Sequence, residues 1–387
     1  MVRIIPASLS LGLSPLSRPA GEGWGEGVER LSLSKYTLTL PRYARAPPLP
    51  QSGRGKRVSK YRAVGIIWGI LLASALLVAP ARLAHAMTGD FPSWLKDLRQ
   101  EALQQGISQK LVDEALPDSL TPNETIIRLD RKQPESTLTF ERYKKNFVTA
   151  KRLQRGRNHM LREKALLQRV SGAYGVEPRY IVALWGLETS FGQNTGGFAT
   201  IPALVTLAYE GRRGDFFRQE LFKALRIVDQ GNIPLQDMKG SWAGAMGQCQ
   251  FMPTSFEKFA QDYNQDGRRD IWNTQADVFA SIAAYLSGNG WQAGQPWGRR
   301  VILPKGFDRS QIGTKVQRLV QFWQDSGIRL PGGKDLPLES SDPASIVQPG
   351  GEGYKTYIVY GNYRILTRWN ASAYFATVVG LFADQLK

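Results

Sequence analysis

Apolar residues recur at three- and four-residue steps through residues 91 to 120, FPSWLKDLRQEALQQGISQKLVDEALPDSL, with breaks at Gly106 and Pro117. That pattern predicts two short helices. Residues 137 to 174 keep a helical period in a more charged setting, and the polar stretch DRKQPES, 130 to 136, reads as a loop between the two regions. In GVEPRYIVALWGLETSFG, Pro178 suits the first turn of a helix, where its missing N–H costs nothing, and Gly192 suits the position just past the end. Ile181, Leu184 and Trp185 stand seven, four and three residues before Glu188 and therefore share its face. The spacing that buries those three turns the carboxylate inward, or toward a cleft that they line.

Farther along, GSWAGAMGQCQFMPTSFEKFAQ, residues 240 to 261, opens with small residues and glycines, where backbone can approach a ligand closely, and then starts a helix. Thr254 and Glu257 have the spacing of a capping box. After the acidic stretch DYNQDGRRDIWN, 262 to 273, NTQADVFASIAAYL reads as a further helix. Between Gly288 and Gly350 periodicity weakens, apart from a helical patch at KVQRLVQFWQDSG. The C-terminal YKTYIVYGNYRILTRWNASAYFATVVGLFADQLK reads as short strands followed by an amphipathic helix. No internal repeat is visible.

The first 86 residues differ in kind. SLSLGLSPLSRPAGEGWGEG is low in complexity, and its composition predicts disorder. It is followed by the basic KRVSKYR, the apolar run from Ala63 to Ala79 and the small-x-small triplet Ala84-His85-Ala86. This is the layout of a secretory signal peptide, with cleavage after Ala86 and delivery to the periplasm. The competing reading is an uncleaved anchor, since the apolar run is close to the roughly 20 residues that span a bilayer. No methionine separates Met1 from Met87, so a start at another codon near Val58 is a further expectation, open to N-terminal sequencing of the precursor.

Composition then narrows the chemistry. The net charge of +17 overstates the basic character of the remainder, because about half of it lies in the leader; it is a poor argument for nucleic acid. Cys249 is the one cysteine, so no internal disulfide can form, and outside the leader His159 is the one histidine. His159 sits in RGRNHMLREK with no nucleophile motif beside it, and zinc sites need more His or Cys than this. Catalysis must therefore rely on carboxylates, hydroxyls and amides.

Two stretches answer that description. A Glu188 held against apolar groups would have a raised pKa and keep its proton near neutrality, as a general acid requires; a structural ion pair with an arginine fits the pattern equally well. Ser241, Gln248 and Gln250 are neutral hydrogen-bonding groups suited either to sugar hydroxyls or to their own loop backbone. In the 262 to 273 stretch, Asp262, Asn264, Asp266 and Asp270 occupy positions one, three, five and nine of a calcium-binding EF-hand loop, with Gly267 at six. Asn273 stands at position twelve in place of the usual glutamate, so a weak structural cation site is expected, against a solvated acidic turn.

Taken together, DRKQPE, ALWGLETSFG, YEGRRGDFFRQEL, GSWAGAMGQCQFMPTSF, the loop ending DIWN and NYRILTRWNASAYFA resemble the membrane-bound lytic transglycosylase B family, enzymes that cut bacterial peptidoglycan. The resemblance runs from about Phe91 to the C-terminus. It implies one catalytic domain over residues 87 to 387, mainly α (α+β), with a lysozyme-like helical core, an EF-hand-like loop and a small β-containing portion. It implies that Glu188 is the lone general acid and then base, and that Ser241, Gln250, Tyr285, Asn370 and Tyr374 contact substrate. The cation ligands it implies are Asp262, Asn264, Asp266, Arg268 and Asp270, holding Ca2+ or Na+ structurally, with no cofactor needed for the chemistry. Glycan strands and other cell-wall enzymes are the partners it implies. Trp369 and Phe375 depart from the family pattern, where tyrosines are common. Two alternatives stand beside it: a hydrolytic muramidase with Glu210, Asp215 or Asp237 as second carboxylate, and a wall-binding protein without activity.

Overall fold

Asp90 starts the first helix by accepting the Ser93 N–H at 3.1 Å, and with Phe91 and Pro92 behind it the chain winds into α1 (Phe91–Gln104). The computed structural model describes residues 90–131, 138–337 and 343–386. Ser108 caps α2 (Gln109–Ala115) in the same way, so the two helices predicted over 91 to 120 are present. A third helix, α3 (Glu124–Arg131), takes in Asp130 and Arg131 from the stretch read as a loop; the rest of DRKQPES, the leader and its cleavage site lie outside the described residues.

The charged segment forms three helices, α4 (Phe140–Phe147), α5 (Ala150–Arg162) and α6 (Lys164–Tyr174), with Thr139 and Thr149 accepting N–H bonds at the first turns of α4 and α5. α7 (Pro178–Thr189) follows, and every residue from Tyr180 to Thr189 is buried. α5, α6, α11 and α14 pack around it, the last two lying later in the chain. A helix apolar on nearly all sides is stable only where neighbours enclose it, which makes α7 the axis of the core.

Beyond α7, the short strand β1 (Phe198–Ala199) pairs antiparallel with β2 (Lys239–Gly240) and brackets α8 (Thr200–Glu210) and α9 (Gly214–Asp229). Neither helix is among the elements read from the sequence; α8 is apolar almost throughout and shows no polar face, whereas α9 is amphipathic. α10 (Pro253–Phe259) and α11 (Gln275–Gly288) flank the acidic loop. The capping box expected at Thr254 and Glu257 does not form. Met252 holds the N-cap position, while the Thr254 N–H and Oγ1 donate to Glu220 at 2.8 and 2.7 Å and Glu257 pairs with Lys223. Glu220 is buried on α9 and needs those donors more than an exposed helix end does.

The remaining chain builds a small antiparallel sheet in the order β3 (Gly298–Val301), β5 (Thr356–Val359), β4 (Ser345–Val347), with α12 (Val320–Asp325) beside it. Val301, Val320, Trp323, Ile346 and Ile358 form its own apolar core, separate from the one around α7. The tail read as strands and one helix is a single strand and two helices, α13 (Gly361–Trp369) and α14 (Ala373–Ala383). α14 is buried from Phe375 to Gly380 against α7 and α4 rather than amphipathic at the surface. Among the described residues no helix is long and apolar enough to cross a membrane.

An ion-pair cluster ties α3 to the turn between α8 and α9. Asp130, 2% exposed, accepts from Arg212 Nε at 2.9 Å and Arg213 Nη2 at 2.8 Å, and Arg131 holds Glu210 at 2.7 Å. Removing an arginine partner weakens the pairing of a carboxylate that water reaches poorly. Asp130→Ala is expected to lower the unfolding free energy by about 3 kcal/mol, the low end of the range for buried pairs, because Arg212 keeps half its exposure. A urea titration against the wild type measures it.

Candidate active site

Glu188 is the penultimate residue of α7, and the way that helix ends sets its position. The chain leaves through three successive left-handed residues, Ser190 (φ 52), Phe191 (φ 60) and Gly192 (φ 78). Two of them are not glycine, and each costs about 1–2 kcal/mol in this conformation. Contacts hold the turn in place: Arg155 Nη2 donates to the Ser190 carbonyl at 2.7 Å, and its guanidinium lies 4.9 Å from the Phe191 ring centre. Gly192 is required for a second reason, since a Cβ there would collide with the Gln248 amide. The helix therefore stops earlier than Gly192 alone predicts, with Ser190 as its left-handed cap.

Gln248 braces this end of the helix from the 240–252 loop. Its Oε1 accepts from Trp185 Nε1 at 2.8 Å, its Nε2 donates to the Trp272 carbonyl at 2.7 Å, and its carbonyl accepts from Thr189 Oγ1 at 3.1 Å. One residue, through its amide and its backbone carbonyl, thus joins residues on both sides of Glu188 to the end of the acidic loop. His159, edge-on to Trp185 at 4.6 Å and stacked on Phe191 at 4.8 Å, is held below its usual pKa by burial and by Arg162; it belongs to this packing.

Glu188 is 4% exposed. Burial raises its pKa from 4.5 to about 8, against a smaller lowering by one hydrogen bond, from Trp369 Nε1 to Oε1 at 2.7 Å. Tyr143 of α4 and Cys249 of the loop also face it; burial, and the charge that Glu188 would carry, push both of them upward, so neither ionises near neutrality. The site thus contains a carboxylic acid that keeps its proton at pH 7, rather than half of an arginine ion pair.

Trp369, which the sequence marks only as a departure from the family pattern, is among the described residues the one that bonds the carboxyl. It stands at the last turn of α13, 181 positions from Glu188 in the chain. Aromatic neighbours fix its plane: Tyr285 lies 4.7 Å away, edge-on, and Phe251 5.5 Å away. Tyr285 Oη donates to the Arg368 carbonyl at 2.9 Å, and burial lifts its pKa to about 12, so its hydroxyl serves first to hold α13. On the other side Tyr374 packs against Phe140 and Tyr143, at 5.2 and 5.7 Å. Glu188, Tyr285 and Tyr374 are thereby joined through Trp369 and Tyr143.

Ser241 Oγ accepts from the Ala243 and Ala245 N–H groups at 3.3 and 3.0 Å, shaping its own loop and keeping its hydrogen to donate. Gln250 adopts φ 51; its Nε2 donates to the Thr195 and Gly247 carbonyls, both at 2.9 Å, and its buried Oε1 has no partner among the described residues. Asn370 is buried at the end of α13, where its Oδ1 accepts from Ser372 N–H at 3.0 Å.

The acidic loop divides in two. Asp262 accepts from the Asp266 and Gly267 N–H groups at 3.0 and 2.8 Å, and Asn264 Nδ2 meets Asp266 Oδ2 at 2.9 Å, so these three share one exposed turn. An all-oxygen set of this kind suits a hard cation. Asp270 is turned away: its Oδ1 accepts from Trp272 and Asn273, both at 2.9 Å, which caps the following turn. Arg268 has a backbone carbonyl to offer, its guanidinium lying 3.8 Å from Asp266. The inner wall is Asp277, fully buried, which accepts from Tyr263 and Asp270 N–H groups at 2.8 Å each. Among the described residues no three His, Cys, Asp or Glu side chains converge as a metal cluster, so a cation here would depend on Asn264 and carbonyl oxygens beside Asp262 and Asp266.

The transglycosylase SLT domain family matches residues 90–384. Membrane-bound lytic murein transglycosylase B of Escherichia coli (strain K12) is 28% identical over 326 residues, 79% of this chain and 87% of that protein. The crystal structure of SltB3 from Pseudomonas aeruginosa in complex with NAG-NAM-pentapeptide superposes with a TM-score of 0.74 at 38% identity, over 77% of this chain and 79% of that one. The Escherichia coli lytic transglycosylase Slt35 in complex with calcium gives 0.67 at 27% identity, over 80% of this chain and 98% of that one. The mainly helical architecture with its small sheet is therefore the lysozyme-like one of these enzymes. With a family match across nearly all the described residues and a buried acid at the end of its central helix, the chain belongs to the transglycosylase SLT domain family, the lytic murein transglycosylases.

Proposed function

We propose that this enzyme cleaves the β-1,4 bond between N-acetylmuramic acid and N-acetylglucosamine in peptidoglycan and closes a 1,6-anhydro ring on the muramic acid. Glu188 gives its proton to the glycosidic oxygen as the bond to C1 breaks, and the glucosamine leaves with a free 4-hydroxyl. The resulting carboxylate takes the proton of the muramic acid C6 hydroxyl, whose oxygen bonds to C1. No water is consumed, and the acetamido group of the substrate can stabilise the positive charge at C1 meanwhile.

The observation that carries this reading is a buried carboxyl with a pKa of about 8 on which, among the described residues, no second carboxylate acts. Hydrolytic glycosidases use two, about 5 to 9.5 Å apart. Glu210, one candidate for the second, is held by Arg131, and the buried Glu220 is held by Thr254. The unmatched Gln250 Oε1 and the Ser241 hydrogen supply an acceptor and a donor for sugar hydroxyls or amides, Asn370 adds an amide, and Tyr285 and Tyr374 offer ring faces. The SltB3 complex with NAG-NAM-pentapeptide supports glycan strands as the substrate, and the leader supports a periplasmic site of action. Asp262, Asn264, Asp266 and the Arg268 carbonyl would hold calcium, with Asp270 as cap, and the cation would stiffen the loop that Gln248 joins to α7.

Glu188→Gln is expected to abolish release of anhydro products while glycan binding persists. Mass spectrometry of a peptidoglycan digest reads the first point, since the anhydro end is one water lighter than a reducing end. A reducing end from the wild type would establish hydrolysis instead, and unchanged turnover by the variant would remove Glu188 from the mechanism.

Protonated Glu188 also links stability to pH. The folded protein holds this proton between about pH 4.5 and 8 whereas the unfolded chain does not, so the contribution is present below 4.5 and is lost as pH rises through 8. Over that window the loss approaches about 5 kcal/mol. Glu188→Gln should therefore be more stable than wild type at pH 9, with the difference shrinking toward pH 4, in urea titrations at both pH values. Wild-type kcat/KM should fall about tenfold per pH unit above 8, as the acid form disappears.

Calcium is expected to raise Tm in proportion to the logarithm of its concentration once above Kd, and chelation to reverse it. Asp266→Asn should remove that dependence; a Tm indifferent to calcium in the wild type would rule the site out.

A further inference from the structure

We propose that Trp369 is a positioning residue that commits the catalytic proton of Glu188 to one oxygen, Oε2. This rests on the reading of Glu188 as the acid. The indole Nε1–H donates to Oε1 at 2.7 Å. Indole nitrogen is a donor only, with no lone pair to accept a hydrogen bond. An oxygen that carries the acidic hydrogen is a poor acceptor, so the protonated carboxyl must turn its carbonyl oxygen, Oε1, toward the indole. No protein donor or acceptor among the described residues is set against Oε2, which leaves the hydrogen on that atom for the substrate.

The direction of the bond matters because a hydroxyl in the same place would act both ways. It could accept the carboxyl hydrogen and keep it in an internal bond, or donate and leave it free. Trp369 allows only the second arrangement. The same N–H then strengthens toward the carboxylate once the proton has left, since charge-assisted bonds are roughly twice as strong as neutral ones. One donor therefore orients the acid and steadies the base without blocking either.

The indole is held to this task from outside. Tyr285 lies edge-on at 4.7 Å and bonds the carbonyl of Arg368, the residue before Trp369, while Phe251 covers it at 5.5 Å. Phe251 itself belongs to the 240–252 loop through its backbone pairing with Met246, at 2.8 and 3.1 Å. A rotation of the indole would have to displace α11, α13 and that loop together. The titratable groups facing Glu188 from its other sides are Tyr143 on α4 and Cys249 on the loop, both held neutral by burial, so neither competes for the proton.

Infrared difference spectra between wild type and Glu188→Gln at pH 6 isolate the carbonyl stretch of the protonated Glu188. Trp369→Phe keeps an aromatic ring and removes the donor. It is expected to move that band to higher wavenumber, shift the basic limb of kcat/KM upward in pH, and lower kcat about tenfold, the worth of one hydrogen bond, with little change in KM. A band and a limb both left in place would overturn the proposal. If the variant does not fold, 15N-labelled wild type serves: the Trp369 Nε1–H resonance should follow the titration of Glu188 and cease to titrate in Glu188→Gln, and a resonance blind to pH would overturn it equally. The band and the resonance are read without substrate, so a failure of the transglycosylase reading would appear in product analysis alone.

Discussion

Enclosing a carboxyl group in an apolar helix bundle disfavours its charged form, and at Glu188 the rest of the structure is arranged around that single electrostatic condition. α7 is buried from Tyr180 to Thr189, so little of the carboxylate meets water. No cation of the described residues is among the groups that shift it, and one indole donor offsets only part of the desolvation. The fold therefore accepts an unfavourable ionisation in exchange for a proton that is available at neutral pH. Sites that destabilise a fold in this way persist where the surrounding packing over-determines them.

That over-determination is visible in how many distant segments meet at the end of α7. The left-handed exit through Ser190 and Phe191 is held by Arg155 of α5, and Gln248 joins Trp185 and Thr189 to the loop residue Trp272. The acidic loop is in turn pinned from within by Asp277, whose two oxygens take N–H groups from either end of it. A cation in the exposed turn would add rigidity to a frame that already leads, bond by bond, to the acid. The position of the acid within this frame fits the proposed chemistry, in which one group serves first as acid and then as base.

Local patterning identified the elements whose neighbours in sequence decide their form. α1, α2, α7 and α11 have caps, breaks and apolar steps within a few residues of one another, and they appear where those signals lie. Local signals misled where a distant group competed for the same atoms. Thr254 bonds Glu220 on α9 rather than its own helix start. α8 and α14 lack a polar face because both are enclosed, so the periodicity that marks a surface helix is missing from them.

By itself the sequence determined that Glu188 would face inward, because helical spacing sets it on the face of Ile181, Leu184 and Trp185. It also determined that carboxylates, hydroxyls and amides would have to do the chemistry, because His and Cys are nearly absent. Whether that inward carboxyl would meet an arginine or keep a proton was decided only by tertiary structure. Its one bonding partner among the described residues, Trp369, lies 181 residues away, and its other neighbours arrive from α4 and the 240–252 loop. The pKa of a buried group depends on everything within a few ångströms of it, and for Glu188 almost none of that surrounding is near it in the chain.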